Sequence, residues 1–292
     1  MKGEEHLWGV LNDKLDTLRA TNHMAEAIRV GQSALEIAKR SFGAGDIRLA
    51  LSYEKLGLLH EQNGDQPGAK AYLVNAHRLL TRRQPADNEA VFRSSRRLGQ
   101  LCNELGHTEE AIDFYEQAVA AAPQLPKLPF SDLGALLNNV ALLCRKAGRA
   151  TAAEPYYQRA LQIYEAQLGP EHPDVASVLN NLGVFYTNEK RFTEAEQVHL
   201  RALGIRERVF SASHPDIAQS KCNLALVYHW RGDYERASEL YRASLQAWEE
   251  ATDKPPEEYE IVAANYADLL RSLGKARKAY ALENRARKKR RG

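Results

Sequence analysis

Residues 172 to 210 read HPDVASVLNNLGVFYTNEKRFTEAEQVHLRALGIRERVF, and their spacing decides the fold. Val178, Leu182, Phe185 and Tyr186 recur at helical intervals in the first half, and Phe192, Ala195, Val198, Ala202 and Ile205 do so in the second. Asn188 to Arg191 is the only polar break between them, which predicts two helices joined by a turn. Ala195, in the second helix, belongs to a series: Ala27, Ala69, Ala111, Ala153, Ala195, Ala237 and Ala279 stand 42 residues apart along the whole chain. The protein is therefore expected to be one unit repeated, because a fixed period of this length is the signature of a repeat architecture.

Two further registers keep the same interval. Asn22, Gly64, Gly106, Gly148, Lys190, Gly232 and Gly274 mostly carry the residue a chain uses to turn, and Ala34, Ala76, Ala118, Ala160, Ala202, Ser244 and Ala286 are all small. A small side chain inside a helix lets the partner backbone approach, so the alanines are read as helix-packing contacts. Seven units of 42 nearly fill the 292 residues, at approximately 4–42, 46–84, 88–126, 130–168, 172–210, 214–252 and 256–292. The expected fold class is all-α, a right-handed solenoid of about seven antiparallel helix pairs in a single array over 1–292.

The links carry signals of their own. His172-Pro173-Asp174 and His214-Pro215-Asp216 each place a proline at a first helical position, followed by an acid suited to a helix N-terminus. Each histidine precedes a proline and so is expected in extended geometry outside the helix. The triplet also occurs in J-domains, but its recurrence at the repeat interval assigns it a structural role here. The loops with Pro123, Pro126 and Pro129, and with Pro255 and Pro256, either join units or bend the array.

These residues resemble the tetratricopeptide repeat, in the long form found in kinesin light chains. The general pattern of Leu-Gly-x-x-Tyr, then Ala nine residues later, is met by Leu182, Gly183, Tyr186 and Ala195, and in part by Leu224, Ala225, Tyr228 and Ala237. The light-chain flavour lies in the period and in Leu179-Asn180-Asn181-Leu182-Gly183 following His-Pro-Asp, echoed by Leu137-Asn138-Asn139-Val140-Ala141. Those specific words cover about residues 130 to 250. The first three units keep the alanines and lose the rest. Light chains join their motor through a heptad coiled coil ahead of the repeats, whereas the first unit here begins almost at Met1. The resemblance thus implies a cargo-type binding module, not a motor subunit.

Composition narrows the function classes. Hydrophobic residues at 44% and charged residues at 27% describe a soluble chain with no apolar run long enough for a bilayer. Met1 to His6 holds acids where a signal peptide has basic and apolar regions, so a cytoplasmic location is expected. Cys102 and Cys144 share one place in successive units and are expected to be buried, with no Cys-x-x-Cys or close Cys/His pair for a metal. No phosphate-binding loop, nucleophile elbow or zinc-protease helix appears. The chain is expected to be no enzyme and to need no cofactor.

Function then falls to surfaces. Helical steps of 100° place Asn180, Thr187 and Asn188 opposite the core stripe, the face that lines the inner groove in tetratricopeptide arrays. The same offsets give Arg93, Arg96, Gln100 and Asn103 in the third unit, Asn138 and Arg145 in the fourth, and Gln219, His229 and Trp230 in the sixth. Arginine forks bind carboxylates at two points and amides bond to any peptide backbone, so the expected partner is an extended acidic peptide or a protein presenting one. Asn139, Asn181, Asn223 and Asn265 keep a separate register near the next repeat and are read as a structural ladder, while Asn138 and Asn180 are read as ligand contacts.

The end differs in charge. Residues 275 to 292 hold nine basic side chains and one acidic, so the overall +2 leaves −6 for residues 1 to 274. A polar capping helix accounts for much of this. The alternative to a peptide-binding scaffold is a regulatory nucleic-acid or ribonucleoprotein-associated factor using this basic segment, although Tyr280 is its only aromatic.

Overall fold

The periodic alanines are the tightest points of the molecule. In the computed structural model all seven, from Ala27 to Ala279, are 0% exposed. The structure describes every residue except 1, 44, 84, 86, 126, 253 and 292, together with all side chains but those of residues 2 and 291. Pro126 therefore lies outside the described residues.

Among the described residues the backbone forms fourteen α-helices and no strand. They are α1 (Lys2–Ala20), α2 (Met24–Ser41), α3 (Ile47–Gln62), α4 (Gln66–Thr81), α5 (Asn88–Glu104), α6 (Thr108–Ala121), α7 (Phe130–Lys146), α8 (Ala150–Leu168), α9 (Pro173–Asn188), α10 (Phe192–Val209), α11 (Pro215–Arg231), α12 (Tyr234–Ala251), α13 (Glu257–Ser272) and α14 (Ala276–Arg291). A short 3-10 turn, Ala122–Gln124, follows α6 and takes in Pro123. The helices gather into two compact units, residues 1–143 and 144–292, with the division inside α7.

In the first unit α1 packs on α2, α3 on α4 and α5 on α6, and α2 and α4 each pack on the hairpin that follows. In the second unit α9 packs on α10, α11 on α12 and α13 on α14, with α8, α10 and α12 packing on the helix after each. Every hairpin turns through one left-handed residue. Asn22, Gly64, Gly106, Gly148, Lys190, Gly232 and Gly274 all have φ between 58° and 84°, a region that costs a side-chain-bearing residue but not glycine.

Close approach between the paired helices follows a small-against-large rule. A Cβ on Gly183 would stand 2.5 Å from the His199 ring, one on Gly99 2.6 Å from Tyr115, and one on Gly57 2.6 Å from Leu73. In the first hairpin the sizes are exchanged. Leu15 holds the small position and is 1% exposed, and the facing residue is Gly31, where a Cβ would come within 3.0 Å of the leucine.

Helix starts explain the His-Pro-Asp triplets. His172 and His214 have extended backbones, with ψ of 144° and 137°, and each ring Nδ1 accepts the backbone N–H of the aspartate two residues on, at 3.2 and 3.1 Å. The histidine is thus an N-cap, a role that spacing alone did not assign. Asp46, Asp65, Asp87 and Asp233 do the same work at α3, α4, α5 and α12. Cys102, Cys144 and Cys222 are all buried free thiols.

Candidate functional site

In the first unit, α5 sets two arginines one turn apart on an exposed face, because Phe92, Ser95 and Leu98 take the inward positions beside them. Arg93 and Arg96 line an open cleft of about 510 Å³ together with Glu89 and Phe92 on α5 and with Gln124, Leu125, Lys127, Leu128, Pro129 and Asp132 after α6. Its walls are apolar where Phe92, Leu125, Leu128 and Pro129 meet, and its rim is charged. Both arginines are held only loosely by the chain's own acids. Arg93 stands 3.8 Å from Glu54 and Arg96 stands 3.5 Å from Asp132, with the Arg96 guanidinium 5.9 Å from the Phe92 ring centre. The neighbouring Arg97, by contrast, donates twice to Glu61, at 3.0 and 2.8 Å. Long pairs leave guanidinium donors for an incoming carboxylate, whereas Arg97 is engaged.

Gln100 and Asn103 lie further along the same helix and are exposed. Gln100 donates to Glu104 at 2.9 Å. Asn138 on α7 is half-buried. The linker through Lys127 and Pro129, which lines the cleft, carried no signal in the helical-face reading because it lies outside any helix.

In the second unit the expected residues separate. Arg145 is half-buried, and its Nε has no hydrogen-bond partner. Asn188 and Trp230 are exposed, the latter at 48%, with the Phe192 ring 6.2 Å away edge to face. Thr187 is a correction: it is 3% exposed and its hydroxyl donates to the Gly183 carbonyl at 2.7 Å, so it lies inside the hairpin and not on a binding face. His229 is another, at 9% exposed and packed edge to face with Tyr234 and Tyr241, and burial lowers its pKa. Both sit at the border of the helical stripe, where a step of 100° does not separate inside from outside.

The asparagines also depart from the expected division. Asn223 donates to Asn180 at 2.8 Å and accepts from Gln219 at 2.9 Å, so Asn180 and Gln219 belong to one inter-helix chain of amides with the ladder residue. Asn265 points the same way, toward Cys222 Sγ at 4.0 Å. The ladder thus joins the two registers in place of running along one of them.

A repeated ionic latch was not foreseen. Tyr186 donates to Glu154 at 2.9 Å, and Arg191 donates to the other oxygen of that carboxylate at 2.7 Å. One repeat later Tyr228 donates to Glu196 at 2.6 Å and Arg231 pairs with it. The Arg191 guanidinium holds the Glu154 carboxyl below its usual range, and burial raises the Tyr186 phenol. The partners lie 32 to 37 residues apart and the two arginines are out of register, so period alone does not show them.

Among the described residues no group of three or more His, Cys, Asp or Glu could hold a metal ion, and no helix is long and apolar enough to cross a membrane.

No curated protein sequence matches the chain. Among solved structures, it is similar to BtubC (BKLC) from P. vanneervenii, a kinesin light chain-like protein, at 26% identity over 80% of this chain and 94% of that one, with a TM-score of 0.58. A tetratricopeptide repeat protein from Parabacteroides merdae aligns at 20% identity over 82% of this chain and 79% of that one, with a TM-score of 0.60. YrrB, described as a TPR protein with an unusual peptide-binding site, aligns at 19% identity over 73% of this chain and 90% of that one, with a TM-score of 0.50. The sequence profile of the tetratricopeptide repeat matches residues 132–208, 174–250 and 216–291, and a second profile of the same description matches 97–125. With the packed hairpins and the 42-residue period, these matches show that the chain belongs to the tetratricopeptide repeat family.

Proposed function

We propose that this protein is a non-enzymatic interaction scaffold whose first unit binds an extended acidic peptide, or a partner protein presenting one, at the cavity lined by Arg93 and Arg96. The observation that carries this reading is the pairing of a hollow of about 510 Å³ with two rim arginines whose own acids stand 3.5 and 3.8 Å away. Ligand carboxylates replace those weak partners, and an apolar ligand side chain fills the space against Phe92, Leu125 and Leu128. Asn188 and Trp230, each exposed on the second unit, offer an amide and an apolar group to a partner. A cytoplasmic setting agrees with this role.

Peptide arrays probed with the full chain test it. Acidic extended sequences are the expected binders, and the double change Arg93→Glu with Arg96→Glu should weaken them at least tenfold, as expected when two charge-assisted contacts become repulsive. Unchanged binding by the double variant would place the recognition elsewhere.

A further inference from the structure

Leu7 is 46% exposed and Val10 48% exposed, both on α1. In the last three repeats the same two places hold Val175 and Val178, Ile217 and Ser220, and Tyr259 and Val262, none of them more than 3% exposed. What buries them is the second helix of the preceding pair. Arg206 of α10 donates to Ser220 at 2.7 Å, and Leu245 and Trp248 of α12 share one core with Tyr259 and Val262. Among the described residues nothing occupies that place over α1.

The other end of the chain supplies the complement. Moving the α12 contacts forward by one repeat puts Glu283 in the place of Tyr241, Arg287 in that of Leu245 and Arg290 in that of Trp248. On the receiving side, Lys14 of α1 occupies the place of Tyr266. Tyr241 and Tyr266 stack with ring centres 5.6 Å apart, so a copy of α14 seated on α1 in this internal geometry brings Glu283 against Lys14. Arg290 also shares its register with Arg206, which donates to the Asp216 carbonyl at 3.0 Å, the position held by His6 in α1. Eight basic residues and one acid on α14 meet three basic residues and four acids on α1.

We propose that α1 is covered by α14 of a second copy of this chain, docked as successive repeats dock, with Glu283 opposite Lys14 and the Arg287 stem lying over Val10. Long cationic side chains cover apolar surface in this way while their charge stays in water. The contact is head to tail, pairing two different ends of the chain, and charge makes it sensitive to salt.

Sedimentation velocity of the full chain, from low micromolar to sub-millimolar concentration at low and high salt, tests this. The expected result is a sedimentation coefficient that rises above the monomer value with concentration at low salt and falls back at high salt. Lys14→Glu and Glu283→Lys should each leave monomer, and an equal mixture of the two should assemble again, because both ends of each variant are then matched by the other. A coefficient constant over the range, a plateau at dimer that Glu283→Lys leaves intact, or a mixture that stays monomeric would each overturn the proposal. Glu283 also pairs with Arg271 within the chain, so melting is followed for every variant. If Glu283→Lys unfolds, Leu7→Arg decides: it changes an exposed side chain to one that the cationic α14 repels, and assembly that survives it refutes the contact.

Discussion

Single residues show where the repeat is strained and where it titrates. Lys190 turns its hairpin at φ 58°, in a place where five other repeats of the same register use glycine above 70°. Lys190→Gly should raise stability by up to about 1 kcal/mol, since a left-handed side-chain-bearing residue costs roughly 1–2 kcal/mol and glycine returns part of that in chain entropy. Urea denaturation checks it, with the midpoint moving up at unchanged slope. His199 is 1% exposed against Gly183, and burial lowers its pKa to about 4 from 6.5. The unfolded chain therefore binds a proton first as pH falls. The histidine costs nothing above about pH 6.5, then removes stability progressively down to about pH 4, on the order of 3 kcal/mol in all. Tyrosine holds the same register at Tyr157 and Tyr241, both 0% exposed, so His199→Tyr should flatten the fall in melting temperature between those pH values.

At the scale of elements, the hairpin was legible because its demands recur. An alanine at 0% exposure and a left-handed turn are needed once in every pair, so both appear in the sequence as a period. Ala195→Leu should overpack its joint and cost about 1 to 3 kcal/mol, measured by the same denaturation. Contacts between successive hairpins were less legible. Glu154 is latched by Tyr186 and Arg191, but Glu196 is latched by Tyr228 and an arginine in a different register, so the geometry is repeated while the sequence is not. Thr187 and His229 were misplaced for a related reason. Each lies at the edge of a helical stripe, where a hydroxyl bonding back to its own helix or a ring packing on its neighbours decides the side.

For the molecule as a whole, the period settled the architecture, while the candidate site came half from the sequence. Arg93 and Arg96 followed from helical phase, but the cavity beneath them depends on the linker through Lys127 and Pro129, whose path no periodicity describes. The basic C-terminal stretch also reads differently once folded. Arg285 and Lys289 pair with Glu249, and Arg290 pairs with Glu257 and Glu260, so part of its charge ties α14 to α12 and α13. The central claim is that this scaffold recognises acidic peptides at one place in its first unit. Hydrogen exchange of the full chain, with and without an array-selected acidic peptide, tests it most directly. Slowed exchange confined to residues 89–96 and 124–132 is the result expected, and protection that leaves those segments unchanged while appearing elsewhere would contradict it.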